Sequence, residues 1–592
     1  MRHRNFYLRE RKSIIALLFG YIFLFLAIAA HAQDLIWAKQ AGGVDLDLGS
    51  NIAVDADGNC YVVGVFEGLA TFGSGDNETR LTSTGLSSIF IAKYSAEASL
   101  LWAKNTGVGN AAEAWSEIAV DGSGAIYLTS SFFDTMTLGA GEANETTISS
   151  AGSEDIFIAK YTTDGILLWA KQAIGVERNR STEIGIDSLG NSYISGFISG
   201  AATFGAGEAN EKTLTAEGAS DVFIAKYAAN GELVWARQAG GEGFTSGQGI
   251  AVDNSGNSFV TGWLGTRTTF GIGESNETTI STVSIDIFLA KYDPNGAFLW
   301  VTQSNSNSNV SASRVALDAA GNSYVAGTFE GSATLGSGEA NETVLSPAGF
   351  SDIFIAKYDN EGLLVWAKPA GGRQYDISYG LAVDASGNSY LTGAFQGAAT
   401  LGRGEANQAI LLSAGNSDIL VASFNSDGML LGAERAGGSQ YDAGGGTAIG
   451  PSGDVYATGR FHESAAFGET ESNETILNSF GVTDIFLAKY ATAISTNVGE
   501  KSSPADHFQM EQNYPNPFNP QTTIRFALQG ASPVRLAVYD LAGRLLEILL
   551  DEVKPAGWNE VVFDAGSLPS GVYFYRLQTA SFQQTGKMAL VR

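Results

Sequence analysis

Residues 352–358 read Asp352-Ile353-Phe354-Ile355-Ala356-Lys357-Tyr358; in an extended chain Phe354, Ala356 and Tyr358 point one way and Ile353 and Ile355 the other. Both faces are apolar, so a strand made of this stretch has to be covered on both sides. Variants of it end at Tyr94, Tyr161, Tyr227, Tyr292, Tyr358, Phe424 and Tyr490, in steps of 65 to 67 residues. Trp37, Trp102, Trp169, Trp235, Trp300 and Trp366 recur at the same interval, and Gly432 stands in the seventh place. A unit repeated seven times therefore organises most of the chain, with a period longer than the roughly 40 to 50 residues of ordinary propeller blades.

One unit reads as two hairpins. Leu381 to Asp384 is a short apolar strand, Ala385 to Asn388 a turn, and Ser389 to Gly393 a second strand; after an interval of about twenty residues come Asp418 to Phe424, the turn Asn425 to Gly428, and Met429 to Ala433. Seven four-stranded antiparallel units, each needing a neighbour on both sides, fit an all-β fold, a seven-bladed β-propeller, better than a sandwich, whose strands alternate apolar and polar. The array opens with a lone fourth strand, Leu35 to Ala41, and ends with a third strand, Ile485 to Tyr490. Residues 35–41 are thus expected to complete the last blade, begun by residues 446–490. An open solenoid is the alternative, and it has no use for a split unit.

Gly249 to Gly262 (GIAVDNSGNSFVTG) and Gly380 to Gly393 (GLAVDASGNSYLTG) resemble the secreted bacterial β-propeller repeat family with GIAVDxxGNxYVTG units, and they look like the strand pairs of NHL-type propellers. The resemblance covers residues 35–490 and implies the architecture without naming a partner.

Arg2, Arg4, Arg9, Arg11 and Lys12 precede an apolar run over residues 13–30, and Ala30-His31-Ala32 offers a small-residue cleavage site. This is the pattern of a secretory signal peptide, residues 1–32; an uncleaved anchor is the alternative. The whole chain carries 34 Lys and Arg against 62 Asp and Glu, and cleavage removes five basic and one acidic residue, leaving 29 against 61, a formal −32. Such a charge excludes nucleic acid as a partner and disfavours acidic lipid surfaces. No further stretch is apolar and long enough to span a membrane, so the mature protein is expected to have no transmembrane span. Only His462 and His507 remain after cleavage, and the one cysteine, Cys60, stands where other units carry Ser192, Ser258, Ser323 and Ser389, the place of a small strand residue.

The interval inside each unit holds a recurrent GxGExNET stretch. Its leading acid is Asp76, Glu142, Glu208, Glu274, Glu339, Glu405 or Glu471, and its second is Glu78, Glu145, Glu211, Glu277, Glu342 or Glu474, with Gln408 breaking the series. Alternation of strand direction puts these stretches on the face of the blade-to-blade links, as a negative field. With Asn144 and Asn341 they are candidate ligand-binding residues, for which Ca²⁺ is the candidate ion; the alternative is a solvated turn duplicated with the unit. Asp55, Asp121, Asp187, Asp253, Asp318 and Asp384 end first strands and are expected to accept backbone N–H groups across the turn. There is no GxSxG, HExxH or GxxxxGK[ST] motif, so catalytic residues are none and no other cofactor is expected. A non-catalytic binding or adhesion scaffold for a glycan or protein ligand is the first reading; a carbohydrate-active hydrolase or lyase using propeller carboxylates is the second, and a purely structural surface protein the third.

Composition shifts after residue 490. Residues 491–506 read as a linker, and residues 507–592 as a small β-sandwich with strands at Thr523 to Leu528, Val534 to Asp540, Glu560 to Asp564 and Val572 to Thr579. Asn513-Tyr514-Pro515-Asn516-Pro517-Phe518-Asn519-Pro520, then Val538 to Arg544 with Gly543, then Leu568 to Tyr573 with Gly571, and finally Lys587 to Arg592 resemble, in order, the C-terminal sorting domain of type IX secretion cargo. Tyr514, Pro515, Asn516, Pro517, Gly543, Gly571, Tyr573, Lys587 and Arg592 carry that match. It implies export through the outer membrane, recognition by the type IX translocon, cleavage by its C-terminal signal peptidase near the linker, and a cell-surface or extracellular destination.

Overall fold

The computed structural model describes residues 34–491 and 509–591, apart from 112–115 and 470 in the first stretch and 511, 512, 514, 515, 517, 529–531, 542, 555, 556, 567, 580 and 581 in the second. The expected signal peptide, and the expected linker apart from Ala491, lie outside the described residues. The chain divides into two compact units, Met1–Ala493 and Ile494–Arg592.

The first is built of strands in a pairing pattern that recurs seven times. In one copy Asn179–Ile186, Ser192–Ile198, Asp221–Tyr227 and Leu233–Gly241 follow one another as an antiparallel sheet. The third strands are buried along their whole length, as in Asp352–Tyr358, because apolar side chains on both faces pack against the units on either side. Cys60 is fully buried at the start of a second strand, Cys60–Phe66.

The long interval inside each unit is itself a hairpin, and this accounts for the long period. Arg267–Phe270 and Thr278–Ser281 form it in one copy, and it joins the preceding unit's sheet at the end of a fourth strand, with Gly240 opposite Thr269 and Gly241 opposite Thr268. A Cβ on Gly241 would lie 2.3 Å from the carbonyl oxygen of Arg267, so only glycine permits this approach. Each unit therefore lends its hairpin to its predecessor, and the units are interlocked by backbone hydrogen bonds as well as by apolar packing.

The last unit contains Ala443–Ile449, Val455–Phe461 and Asp484–Tyr490, and its fourth strand is Leu35–Gly43 from the start of the array, with Ala38 opposite Ala488 and Ala41 opposite Ile485. Elsewhere the turn between third and fourth strands is closed by a backbone bond, such as Asn425 N–H to Met429 O at 2.8 Å; here Ala491 N–H donates to Asp34 O at 2.9 Å between opposite ends of the array. The split explains the missing tryptophan. Trp366 donates its Nε1–H to Ser426 O (3.0 Å) and packs over Gly428 in the next unit's turn, where φ is +76°. Gly432 stands at the Trp366 position one unit later, and the turn that follows it in the repeat is the divided one.

In the second unit Gln509–Met510, Gln521–Leu528 and Gly557–Asp564 form one sheet, and Leu545–Lys554, Ser532–Tyr539, Gly571–Gln578 and Gln583–Leu590 another. Ile524, Phe526, Val538, Phe563, Tyr575 and Met588 share one apolar cluster drawn from both. Three of these strands were not expected from sequence. Leu545–Lys554 is largely exposed and mixes apolar with acidic residues in no two-residue alternation, so its pairing to Ser532–Tyr539 defines it as a strand.

Candidate functional site

The recurrent acids lie at the tips of the extra hairpins, and six of the seven leading ones already have a partner inside the frame. Glu142 Oε2 accepts the N–H of Leu167 at 2.6 Å, while the Asn144 side chain donates to the carbonyl of the same residue at 3.1 Å. The pair holds both backbone groups of the first residue of a fourth strand. The same arrangement joins Glu208 and Asn210 to Leu233, Glu274 and Asn276 to Phe298, Glu339 and Asn341 to Leu364, Glu405 and Asn407 to Leu430, and Glu471 and Asn473 to Leu35. Asp76, one methylene shorter, is exposed in the 3-10 turn Gly75–Asn77. Second acids close the tip itself, as Glu145 does by accepting Gly141 N–H at 2.6 Å.

The hairpin tips sit beside the starts of fourth strands and not on the face of the unit-to-unit links. The sequence-based placement is corrected here, because β-pairing with the preceding fourth strand dictates the direction of the hairpin. The seven leading acids are consequently not brought together. Lys104, Lys171 and Lys368 of preceding units lie 3.6, 2.5 and 3.1 Å from Glu142, Glu208 and Glu405. At the divided turn the charge is reversed: Glu434 takes the lysine's place, and burial with Glu471 and Asp34 nearby pushes its carboxyl up to about 8. Among the described residues no group of three or more His, Cys, Asp or Glu is placed to hold a metal ion.

The aspartates that end first strands do accept backbone N–H groups. Asp187 takes those of Leu189 (3.0 Å) and Asn191 (2.9 Å), the Asn191 amide and the Tyr193 hydroxyl, with Lys226 at 3.6 Å. Burial alone would raise its pKa, but these donors hold it below the ordinary carboxylate range. The Tyr193 hydroxyl shares its one proton between Asp187 and Gly256 O of the next unit, and Tyr456 of the last unit donates to Gly58 O of the first at 3.1 Å. Asp253, Asp318 and Asp384, with Asn254, Ser255 and Asn257, line an open cavity of about 430 Å³ among these turns.

A further cluster was not anticipated. Asn51, Glu117, Glu183, Gly249, Arg314, Gly380 and Gly446 occupy one position of the repeat, and in most units a register shift immediately precedes it, a bulge that re-aims the side chain. Arg314 bridges Glu117 (2.7 Å) and Glu183 (3.0 Å), and the Asn51 amide donates to Glu117. Burial holds both glutamates above their usual range despite the guanidinium. The glycines answer to crowding: a Cβ on Gly446 would lie 2.2 Å from Asn51 Oδ1, and one on Gly249 would lie 3.1 Å from Arg314 Cα. The signal in the sequence was a charged residue inside an apolar first strand, at one position in three units.

In the C-terminal unit Asn516 clamps the last strand, accepting Ala589 N–H at 2.8 Å and donating to Lys587 O at 3.1 Å. Tyr573 is buried, with its hydroxyl on Pro569 O at 2.6 Å. Gly543 adopts φ +77° in the turn between Asp540 and Arg544, and Gly571 begins Gly571–Gln578 opposite Leu590. Tyr514, Pro515, Pro517 and Arg592 lie outside the described residues.

Residues 512–591 match the secretion system C-terminal sorting domain family, and residues 234–263 match the beta-propeller repeat family. An uncharacterised WD repeat-containing protein of Acanthamoeba polyphaga mimivirus is 24% identical over 442 residues, which is 62% of this chain and 32% of that protein; the chain thus spans about a third of that relative's length. Two solved structures are also similar. PorZ, a surface component of the type IX secretion system of Porphyromonas gingivalis, is 13% identical with a TM-score of 0.21, covering 92% of this chain and 81% of PorZ. A tetra-tandem repeat of a large adhesion protein is 10% identical with a TM-score of 0.12, covering 92% and 100%. The chain carries beta-propeller repeats and a type IX sorting domain, and it is exported to the cell surface or the extracellular space.

Proposed function

We propose that the seven units close into a seven-bladed β-propeller, residues 33–490, joined by a linker at 491–506 to a β-sandwich sorting domain at 507–592, and that the exported ring is a non-catalytic binding or adhesion scaffold. The type IX translocon and its C-terminal signal peptidase are the delivery partners, acting after a signal peptide of residues 1–32 is removed. The reading is carried by one observation: the recurrent leading acids of the hairpins, apart from Asp76, are occupied by the frame. Six leading glutamates accept fixed backbone N–H groups, and Glu117 and Glu183 are both held by Arg314, with the Asn51 amide also on Glu117. What remains exposed is shaped surface, including the cavity lined by Asp253, Asp318 and Asp384.

A glycan array beside a hydrolysis screen, both on the mature chain, tests this. Retention without turnover is the expected result. Release of new reducing ends or unsaturated products would establish the hydrolase or lyase reading, and neither retention nor turnover would leave a structural surface protein.

A further inference from the structure

Each junction between neighbouring units whose link is described gathers three segments at the same end of the strands: the link from a fourth to a first strand, the turn entering the extra hairpin, and the turn leading into a third strand. Backbone bonds hold them together, such as Glu67 N–H to Leu46 O at 3.1 Å, Ser199 N–H to Arg178 O at 3.1 Å and Gly265 N–H to Phe244 O at 3.0 Å. Parallel bridges join Leu46 to Thr483, Ser220 to Phe244, Ser351 to Tyr375 and Ser417 to Tyr441.

Large apolar side chains stand out of these segments. In the links, Val44, Val176, Phe244, Tyr375 and Tyr441 are 49% to 67% exposed; in the turns beside them, Leu86, Val283, Phe350, Phe480 and Val482 are 58% to 93% exposed. Every one of the seven junctions contributes at least one. Phe350 and Tyr375 stack at 5.2 Å with planes 14° apart, an aromatic pair formed in solvent. Single exposed apolar residues need no explanation, but their return at one strand end in all seven units is the signature of a covered surface.

The charge on the same segments says what covers it. Asp134, Glu177, Glu217, Glu242, Glu330 and Glu463 are exposed there, against three exposed basic residues: Arg178, which Glu154 holds at 2.8 Å, Arg373, and Arg267 where a hairpin begins. We infer that this acid-studded apolar crown docks a basic polypeptide surface carrying exposed apolar side chains of its own. Opposite charge steers such a partner to the crown, and the aromatic side chains supply the contacts that hold it. An acidic lipid surface is repelled by the same residues. The inference rests on the ring reading, since closure is what turns all seven junctions toward one side.

The probe is a labelled peptide of alternating lysine and leucine, titrated against the mature chain, with glutamate–leucine and lysine–serine peptides as comparisons. The expected result is binding of the lysine–leucine peptide, weakened by salt, about tenfold weaker or more for either comparison, and about tenfold weaker or more for the triple variant Phe244→Ser, Phe350→Ser, Tyr375→Ser, whose exposed sites leave the melting temperature unchanged. Unchanged binding by the triple variant, or equal binding of the glutamate–leucine or lysine–serine peptide, would overturn the docking surface. In parallel, a disulfide between A38C and A488C reports the shared last unit. A cross-link formed alongside failed peptide binding overturns the docking surface alone, whereas no cross-link overturns the ring on which it rests.

Discussion

Glu471 accepts the backbone N–H of Leu35 at 2.7 Å, so a residue near the end of the repeats fixes the first strand of the array. Asn473 donates to the carbonyl of the same leucine at 3.1 Å. Five other units use the same clamp on a continuous chain, where the neighbouring turn already limits the strand's freedom. At Leu35 the turn is divided, and the clamp supplies the order that chain connectivity gives elsewhere.

Glu471→Ala leaves the Leu35 N–H without its acceptor, and a loss of about 1 to 3 kcal/mol is expected. Glu405→Ala, the same change where the chain is continuous, should cost less at its own strand. Hydrogen exchange over Leu35–Gly43 and urea unfolding of both variants check this; equal local protection in the two would contradict it.

Trp366 and Gly428 form a unit of stability. Trp366→Ala removes the Nε1 bond to Ser426 and the packing over the turn, at an expected cost of about 2 to 4 kcal/mol for this half-buried ring. A Cβ on Gly428 would lie 2.8 Å from Trp366 Cδ2 at φ +76°, so Gly428→Ala also destabilises. Part of that strain vanishes once the indole is gone, and the double variant should unfold with less than the summed loss, measured by a double-mutant cycle.

Glu434 gives a pH signature. Its folded-state pKa, pushed to about 8 by burial and by Glu471 and Asp34, lies above the ordinary carboxylate value, so the folded chain holds the extra proton. The stability it contributes is complete below the ordinary carboxylate range and is lost as pH rises through about 8. Asp47 and Asp376, both pushed to about 7 by burial, act in the same direction. Glu434→Lys restores the residue type of Lys104, Lys171 and Lys368; it should flatten the upper part of the curve and gain about 1 kcal/mol at pH 8, discounted for exposure. Melting curves from pH 5 to 9 measure the difference between the two proteins.

Arg314→Met strands Glu117, which is buried, and Glu183, which is half-buried. Breaking one partner out of a buried charge cluster costs about 3 to 5 kcal/mol, and the loss should grow as pH rises, because Glu117 and Glu183 must then hold protons that solvent removes. Adding Glu117→Gln and Glu183→Gln to the same chain should recover much of the stability, since neutral amides need no counter-charge. Denaturant unfolding at pH 6 and 8 distinguishes this from a simple packing defect, which would be independent of pH.

Deletion of residues 507–592 should hold the protein inside the native host's cell envelope, because the sorting domain is the export address. Fractionation and surface labelling follow it, and surface levels equal to the intact chain would contradict the assignment.

The fold was readable because a repeat states its own period and because apolar residues on both faces of Asp352–Tyr358 demand neighbours. Lone strands at the two ends of the array pointed to the shared unit, and Leu35–Gly43 pairs with Asp484–Tyr490. The acids of the hairpin tips were readable only as a pattern. Alternation of strand direction put them on the link face, whereas pairing of the hairpin to the preceding fourth strand turns them back to Leu167 and its counterparts.

From the sequence alone came the period, the strand alternation, the acidic charge and the export address, since each is a property of residues close together or of composition. The tertiary structure decided which positions meet. Asn51, Glu117, Glu183 and Arg314 stand one or more whole periods apart, and in the sequence all seven copies of that position recur at steps of 65 or 66 residues. Bulges aim them at one another, and the room left by Gly249, Gly380 and Gly446 determines which side chains fit. That outcome depends on distances of a few ångströms between packed units, which a one-dimensional order of residues does not contain.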